Sequence, residues 1–191
     1  MYKRQLLTVP GFRLTLNISA HDLVDPTFFD LLQSSLATAG VQPSSIGLEL
    51  TERNTSSHKT AIDTIARLRH AGHTVYIDDF GTGYSSLAYL RDLAVDFIKI
   101  DRAFTATIGT HAITESILPQ ILQMAEQLHL AVVVEGIETE EQAAYFRASG
   151  KEIFGQGWLF SRPVPAARLR QMLQVEFDSD FEIVPLSLIH I

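Results

Sequence analysis

The chain has 191 residues, 46% of them hydrophobic and 19% charged, enough apolar material for a sizeable core in one soluble domain. It has no cysteine, which removes disulfide frameworks and thiolate zinc sites, and its formal net charge of −7 argues against a nonspecific DNA- or RNA-binding surface. No apolar run approaches the roughly 20 residues of a membrane span, and the first residues lack a signal-peptide pattern.

In chain order, residues 1–5 can be encoded by GTG TAT AAG AGA CAG, and residues 186–191 by CTG TCT CTT ATA CAC ATC. The two strings are reverse complements over their shared length and resemble the transposon end used for sequencing libraries. Both tips are therefore expected to be adapter, and residues 6–185 to be an open, metagenomic-type fragment. A strand is predicted over 13–19, with Leu14, Leu16 and Ile18 on one face and Thr15, Asn17 and Ser19 on the other. A helix follows over 26–39, with Asp25 as cap, Pro26 at its first position and Gly40 after its end. The next strand is 46–51, and the next helix, 57–71, stops at Gly72. Strands at 75–78 and 97–100 flank a Gly-rich loop and a short helix near 86–92. Helix 112–128 should kink at Pro119 unless it starts late. After an apolar strand at 132–135, Thr139 opens a helix with Gln142 in capping-box position, and Gly150 closes it. A last strand near 153–154 and a helix over 166–173 complete the ordered part, leaving 177–185 as tail or linker. Repeated strand–helix units with β-branched strands imply an α/β fold, a parallel sheet wrapped by helices.

Chemistry concentrates in Asp78-Asp79-Phe80-Gly81-Thr82-Gly83, where an apolar strand ends on adjacent carboxylates and turns on glycine. Two such charges about 4 Å apart repel by roughly 4 kcal/mol at an effective dielectric near 20, a cost that magnesium or manganese removes. Strand residues alternate faces, so both carboxylates reach one site only where the strand breaks, and Gly81 and Gly83 are expected to supply the break. The ordinary alternative is an exposed turn. Asn17, Glu49, Lys99 and Glu135 add about one polar residue per strand, and in a barrel of parallel strands the carboxyl ends converge on one mouth. Singly, each has a structural reading: Asn17 as a strand-end cap, Glu49 as a partner for Arg53, Lys99 as a solvated strand end, Glu135 as a helix-facing charge. Pleat parity separates Glu49 from Glu52, placing them on opposite faces if the strand continues. His70 and His73 read as solvated residues around a helix end, and Trp158 and Phe160 as core or rim packing, with a guanine-stacking role as the alternative.

Together, Glu49-Leu50-Thr51-Glu52, the Asp78-Asp79 segment, Lys99-Ile100-Asp101, Glu135-Gly136-Ile137-Glu138 and Gln156-Gly157-Trp158-Leu159-Phe160 resemble the EAL-domain family in order and spacing. The resemblance runs over about 13–173. It implies an incomplete TIM-type (β/α)8 barrel that holds two Mg2+ or Mn2+ ions and hydrolyses the bacterial second messenger cyclic di-GMP to linear pGpG. By the same resemblance, Asn17, Glu49, Asp78, Asp79 and Glu135 hold metal, and Lys99, with Glu135 and Asp79, is catalytic, holding the attacking water and stabilising phosphoryl charge. Glu52 anchors the loop after the Asp pair, Glu138 and Gln156 support the mouth, and Asp101, Gly83 and Gln156 meet substrate. The motif that names the family, Glu-Ala-Leu followed by arginine, is absent. Such barrels usually need about 250 residues, so two opening strands are expected to be missing, leaving about six, and the isolated chain is expected to be inactive. The competing readings are a noncatalytic cyclic di-GMP receptor and a protein-interaction domain. The resemblance further implies a cytoplasmic domain, a homodimer through the region of 81–90, and an upstream sensory or cyclase domain in a parent that would be membrane-tethered if its missing segments span a bilayer.

Overall fold

The computed structural model describes residues 12–51, 59–82, 90, 93–110 and 113–177. Among the described residues six strands make one sheet: β1 (Leu14–Ile18), β2 (Ile46–Thr51), β3 (Thr74–Phe80), β4 (Phe97–Ile100), β5 (Ala131–Val134) and β6 (Ile153–Gly155). Every pairing is parallel and the order is β1-β2-β3-β4-β5-β6, so each strand lies beside its sequence neighbour, the winding of a (β/α) barrel. Among the described residues β1 and β6 do not pair, and the sheet is not closed. The helices are α1 (Ala20–Val24), α2 (Phe28–Ala39), α3 (Lys59–His70), α4 (Arg102–Thr105), α5 (Ile113–Gln127), α6 (Glu140–Ala148) and α7 (Ala166–Phe177). None is long and apolar enough to cross a membrane.

The two faces of the sheet differ in kind. Leu48, Leu50, Val75, Ile77, Ile98, Ile100, Val132 and Val134 belong to one apolar core with Leu36 of α2, Ile65 and Leu68 of α3, Leu118 and Leu122 of α5, and Phe146 of α6. Strand alternation sends the intervening residues, Glu49, Tyr76, Asp78, Phe97 and Lys99, to the opposite face. There Tyr76 stacks on Phe97 with ring centroids 4.6 Å apart, and Phe97 meets Phe154 at 5.7 Å. Gly47 makes room for this layer, because a Cβ there would lie 2.6 Å from the Tyr76 ring. Arg13 Nη1 donates to the Tyr76 hydroxyl at 3.0 Å, satisfying a fully buried polar group.

Several local expectations are corrected. Asp25 does not cap a helix starting at Pro26; it ends α1, and its carboxylate accepts from Thr27 N and Oγ1 at 2.8 and 2.7 Å, so α2 starts at Phe28. The sequence signal for α1 lay in Ser19 and Asp22, which form a reciprocal capping box. In β1 the expected faces stand, with Leu14 and Ile18 in the core, but Leu16 between them is exposed and Thr15 on the other face is buried beside Gly47. Helix α5 starts at Ile113 and has Pro119 inside it, the arrangement for which a kink is expected. His73 is buried rather than solvated: its ring nitrogens meet the Ile46 carbonyl at 3.1 Å and Gln33 Nε2 at 2.9 Å, and burial lowers its pKa. The short helix near 86–92 lies largely outside the described residues, as do both chain tips.

Behind β6 the chain packs backbone on backbone. A Cβ on Gly157 would fall 2.1 Å from the Ile137 carbonyl oxygen and 2.3 Å from its nitrogen, distances no side chain tolerates. Gly157→Ala must therefore push the segment after β6 away from the Glu135–Ile137 turn. We expect a loss of about 1–3 kcal/mol, the usual cost of overpacking, read from the urea midpoint. An unchanged midpoint would show that this close approach is not maintained.

Candidate metal centre

Four neighbouring strands deliver four charged side chains to one place. Glu49 comes from β2, Asp78 from β3, Lys99 from β4, and Glu135 directly follows β5, its N–H still donating to the Ile100 carbonyl at 3.0 Å. Lys99 Nζ lies 2.6 Å from Glu135, 2.8 Å from Asp78 and 3.2 Å from Glu49. The lysine is fully buried and Glu49 is 1% exposed, which overturns the solvated reading of Lys99. Burial disfavours its ammonium. The attraction of Glu49, then of Glu135 and Asp78, outweighs that penalty and holds the pKa above the ordinary lysine value.

Asp79 joins the cluster through an irregular backbone. In the β3–β4 register Ile77 faces Ile98 and Phe80 faces Ile100, so β3 carries one extra residue where Asp78 and Asp79 stand. Asp79 adopts φ +54°, a left-handed conformation that aspartate tolerates better than bulky residues. Bulge and turned backbone together let successive carboxylates face the same mouth. The break thus starts at Asp79 itself rather than at Gly81, and β3 continues to Phe80. Gly81 follows at φ +92°.

Carboxylate oxygens of Asp78, Asp79 and Glu135 all lie within 4.8 Å of one another, close enough to hold a metal ion. The donor set fits a hard divalent cation: it is all oxygen and, with Glu49 and Lys99 included, the cluster holds four carboxylates and one ammonium, a formal charge of −3 when all are ionised. Glu49 Oε1 is met by the Lys99 ammonium at 3.2 Å, whereas its buried Oε2 accepts no hydrogen bond from the described residues, and the same holds for Gln156 Oε1. Buried acceptors without donors are costly unless a cation or ligand meets them.

The other sequence candidates fall at varying distances from this centre. Asn17 is exposed and sits beside Glu49 in the β1–β2 register. Gln156 continues β6, its N–H donating to the Val134 carbonyl at 2.8 Å and its carbonyl accepting from Ile137 at 3.0 Å. Asp101 caps α4, accepting from Ala103 N at 2.8 Å, and Glu138 is exposed, its N–H donating to Gln142 Oε1. Glu52 and Gly83 lie outside the described residues. Trp158 and Phe160 are more than half exposed, with Arg162 over the Trp158 ring at 4.5 Å, so they are rim rather than core. Helix α4 and the bulge at Asp79 were missed by the sequence reading. The first had a signal in Asp101, an N-cap residue directly after a strand.

Comparison with known proteins agrees with this geometry. Residues 2–163 match the family model described as EAL domain. A probable cyclic di-GMP phosphodiesterase of Escherichia coli (strain K12), PdeB, is 42% identical over 156 residues, 82% of this chain and 29% of PdeB. The chain thus spans less than a third of that relative's length. The crystal structure of the EAL domain of Mycobacterium smegmatis DcpA has a TM-score of 0.80 at 30% identity, covering 91% of this chain and 82% of that one. The manganese/cyclic di-GMP complex of Klebsiella pneumoniae BlrP1 has a TM-score of 0.73 at 31% identity, covering 84% and 41%.

The charge arrangement sets a pH dependence. A lysine whose folded pKa is raised contributes stability that is fully present below its unfolded pKa of about 10.4 and is lost as pH rises through the folded value. Lys99→Met, which leaves three carboxylates around an apolar chain, should cost about 3–5 kcal/mol at pH 7 to 9. The gap from the unmodified chain, measured by urea denaturation, should narrow above about pH 10.4. A gap absent at pH 7, or one that widens above pH 10, would rule out a charged Lys99 as the cluster's internal counter-ion.

Proposed function

The chain belongs to the EAL-domain family, and on that premise we propose that the protein hydrolyses cyclic di-GMP to linear pGpG with magnesium or manganese held at the Asp78 cluster. The observation that carries the proposal is the convergence of Glu49, Asp78 and Glu135 on a fully buried lysine, with Asp79 turned toward the same mouth. The names of PdeB as a probable cyclic di-GMP phosphodiesterase and of the manganese/cyclic di-GMP complex of BlrP1 support it.

In this reading Asp78, Asp79 and Glu135, with Glu49 and Asn17 beside them, would hold two divalent ions. Such ions supply Lewis acidity for a phosphodiester and lower the pKa of adjacent water. Lys99 keeps its proton, so it acts as a hydrogen-bond donor and fixed positive charge rather than as a base. From Nζ it orients the attacking water and meets charge that develops on the phosphoryl oxygens. Gln156 offers the ligand a buried amide oxygen that accepts no hydrogen bond from the described residues, with Gly83 as a further contact. Asp101 serves substrate by fixing α4, and Glu52 anchors the loop after Phe80. The wider reading is a cytoplasmic bacterial signalling domain that dimerises and works under an upstream sensory or cyclase domain.

Incubating the chain, extended by an N-terminal segment that carries the absent Glu-Ala-Leu and arginine, with cyclic di-GMP and Mn2+ and following pGpG by chromatography tests the proposal; the unextended chain is expected to form little product. Product should require added metal, and Asp78→Asn or Asp79→Asn should reduce its formation by more than the 10- to 100-fold typical of residues that only orient a ligand. Metal-dependent binding of cyclic di-GMP, measured calorimetrically, with no product under any condition would replace the enzyme by a receptor. Turnover near that of the extended chain in either extended variant would reject the two-metal assignment.

A further inference from the structure

Helix α4 is only four residues long, yet it packs against the backbone on both sides of the carboxylate cluster, at Gly81 and at Glu135–Gly136. It starts directly after Lys99-Ile100, where the Asp101 carboxylate caps it by accepting from Ala103 N. On one side the Phe104 ring lies where a side chain at Gly81 would be: a Cβ there would come 2.7 Å from Phe104 Cζ. Gly81 stands two residues after Asp79, so Phe104 buttresses the turn that follows the bulge. On the other side Arg102 occupies the space beside Gly136, whose hypothetical Cβ would fall 2.4 Å from Arg102 Cβ, and Gly136 itself needs φ +69°.

Thr105 completes the second contact with a directed bond. Its hydroxyl donates to the Glu135 carbonyl at 2.7 Å, and the residue is fully buried. Gln142 holds Thr105 in turn, donating from Nε2 to the Thr105 carbonyl at 3.2 Å. The Gln142 Oε1 atom accepts from Glu138 N at 2.7 Å and Thr139 N at 3.0 Å. One amide therefore ties α6, α4 and the segment after Glu135. A buried hydroxyl is not needed to fill this space, since valine has nearly the same shape; what threonine adds is the bond to Glu135.

We propose that Thr105 is a positioning residue, and that α4 couples the Glu135 turn to the Asp78–Asp79 bulge so that their carboxylates reach a metal ion together. This rests on the metal-binding reading above. Thr105 touches neither substrate nor metal; it acts through the Glu135 main chain. The prediction is asymmetric: removing the hydroxyl should disturb Gly81–Thr82, on the far side of α4, as well as the nearby Glu135–Glu138 segment.

The test compares Thr105→Val with Thr105→Ser in the full chain. Mn2+ affinity, measured by electron paramagnetic resonance with the metal alone, should fall about 10- to 100-fold in Thr105→Val and return toward the original value in Thr105→Ser. Hydrogen exchange on the metal-free protein is the second readout. In Thr105→Val the Thr82 amide, which donates to the Asp79 carbonyl at 3.2 Å, should exchange faster together with the amides of 137–139, while amides of α3 keep their rates. Unchanged Mn2+ affinity in Thr105→Val, or faster exchange confined to 137–139, would overturn the proposal. If the unmodified chain binds no Mn2+, the metal reading fails, and exchange at Thr82 alone then decides the coupling. A Thr105→Val chain that loses protection throughout transfers the decision to Thr105→Ser and Gln142→Leu, where the same pair of distant amides must respond.

Discussion

A single ammonium buried among carboxylates governs the organisation of this molecule. Lys99 is fully enclosed, and removing a charge from water costs several kcal/mol unless counter-charges stand within contact distance. They do so here because the strands that flank β4, and the one beyond β3, each place one acid at the same level. The parallel winding is what makes this possible: every strand ends at the same side, and consecutive strands are consecutive neighbours. Such a cluster is a poor way to gain stability, since apolar residues of equal volume commonly serve as well or better. Its persistence at the strand ends is understandable as a site whose negative charge exceeds what its lysine can neutralise.

Geometry around the Asp pair shows how the backbone is bent to that end. A regular strand would send Asp78 and Asp79 to opposite faces, one into the cluster and one into the apolar layer beneath the helices. The extra residue in β3 and the left-handed Asp79 avoid this at a local cost of order 1–3 kcal/mol. That cost must be met by the surroundings, and the surroundings are close: Phe104 against Gly81 on one side and the Lys99 contact to Asp78 on the other.

The fold was legible because its signals are local and repeated. Six apolar β-branched strands, glycine stops after helices at Gly40 and Gly72, and the Thr139–Gln142 capping box all appear in the structure where periodicity and turn chemistry put them. The convergence of Glu49, Asp78, Lys99 and Glu135 was also legible, because one charge per strand at the carboxyl end has few explanations in a parallel sheet. What escaped was set by tertiary contact. Whether Leu16 or Thr15 is buried depends on neighbouring strands, whether His73 is solvated depends on Gln33 forty residues earlier, and the bulge at Asp79 is defined only against β4. Thr105 carries no pattern at all, since its importance lies in the carbonyl it meets rather than in its own sequence neighbours.

The charge balance also orders the events at the mouth. A phosphodiester is an anion, and the cluster it would approach has a formal charge of −3 when its acids are ionised. Lys99 cannot reverse this field, because its own charge is already shared among three carboxylates and is screened from the opening by its burial. Two divalent cations would change −3 to +1, turning a repulsive mouth into an attractive one. Affinity for an anionic dinucleotide and affinity for metal are then linked, and by thermodynamic reciprocity each must strengthen the other by the same factor. The acidic chain as a whole, with its formal net charge of −7, follows the same logic: cations at these carboxylates would make a phosphodiester a suitable ligand.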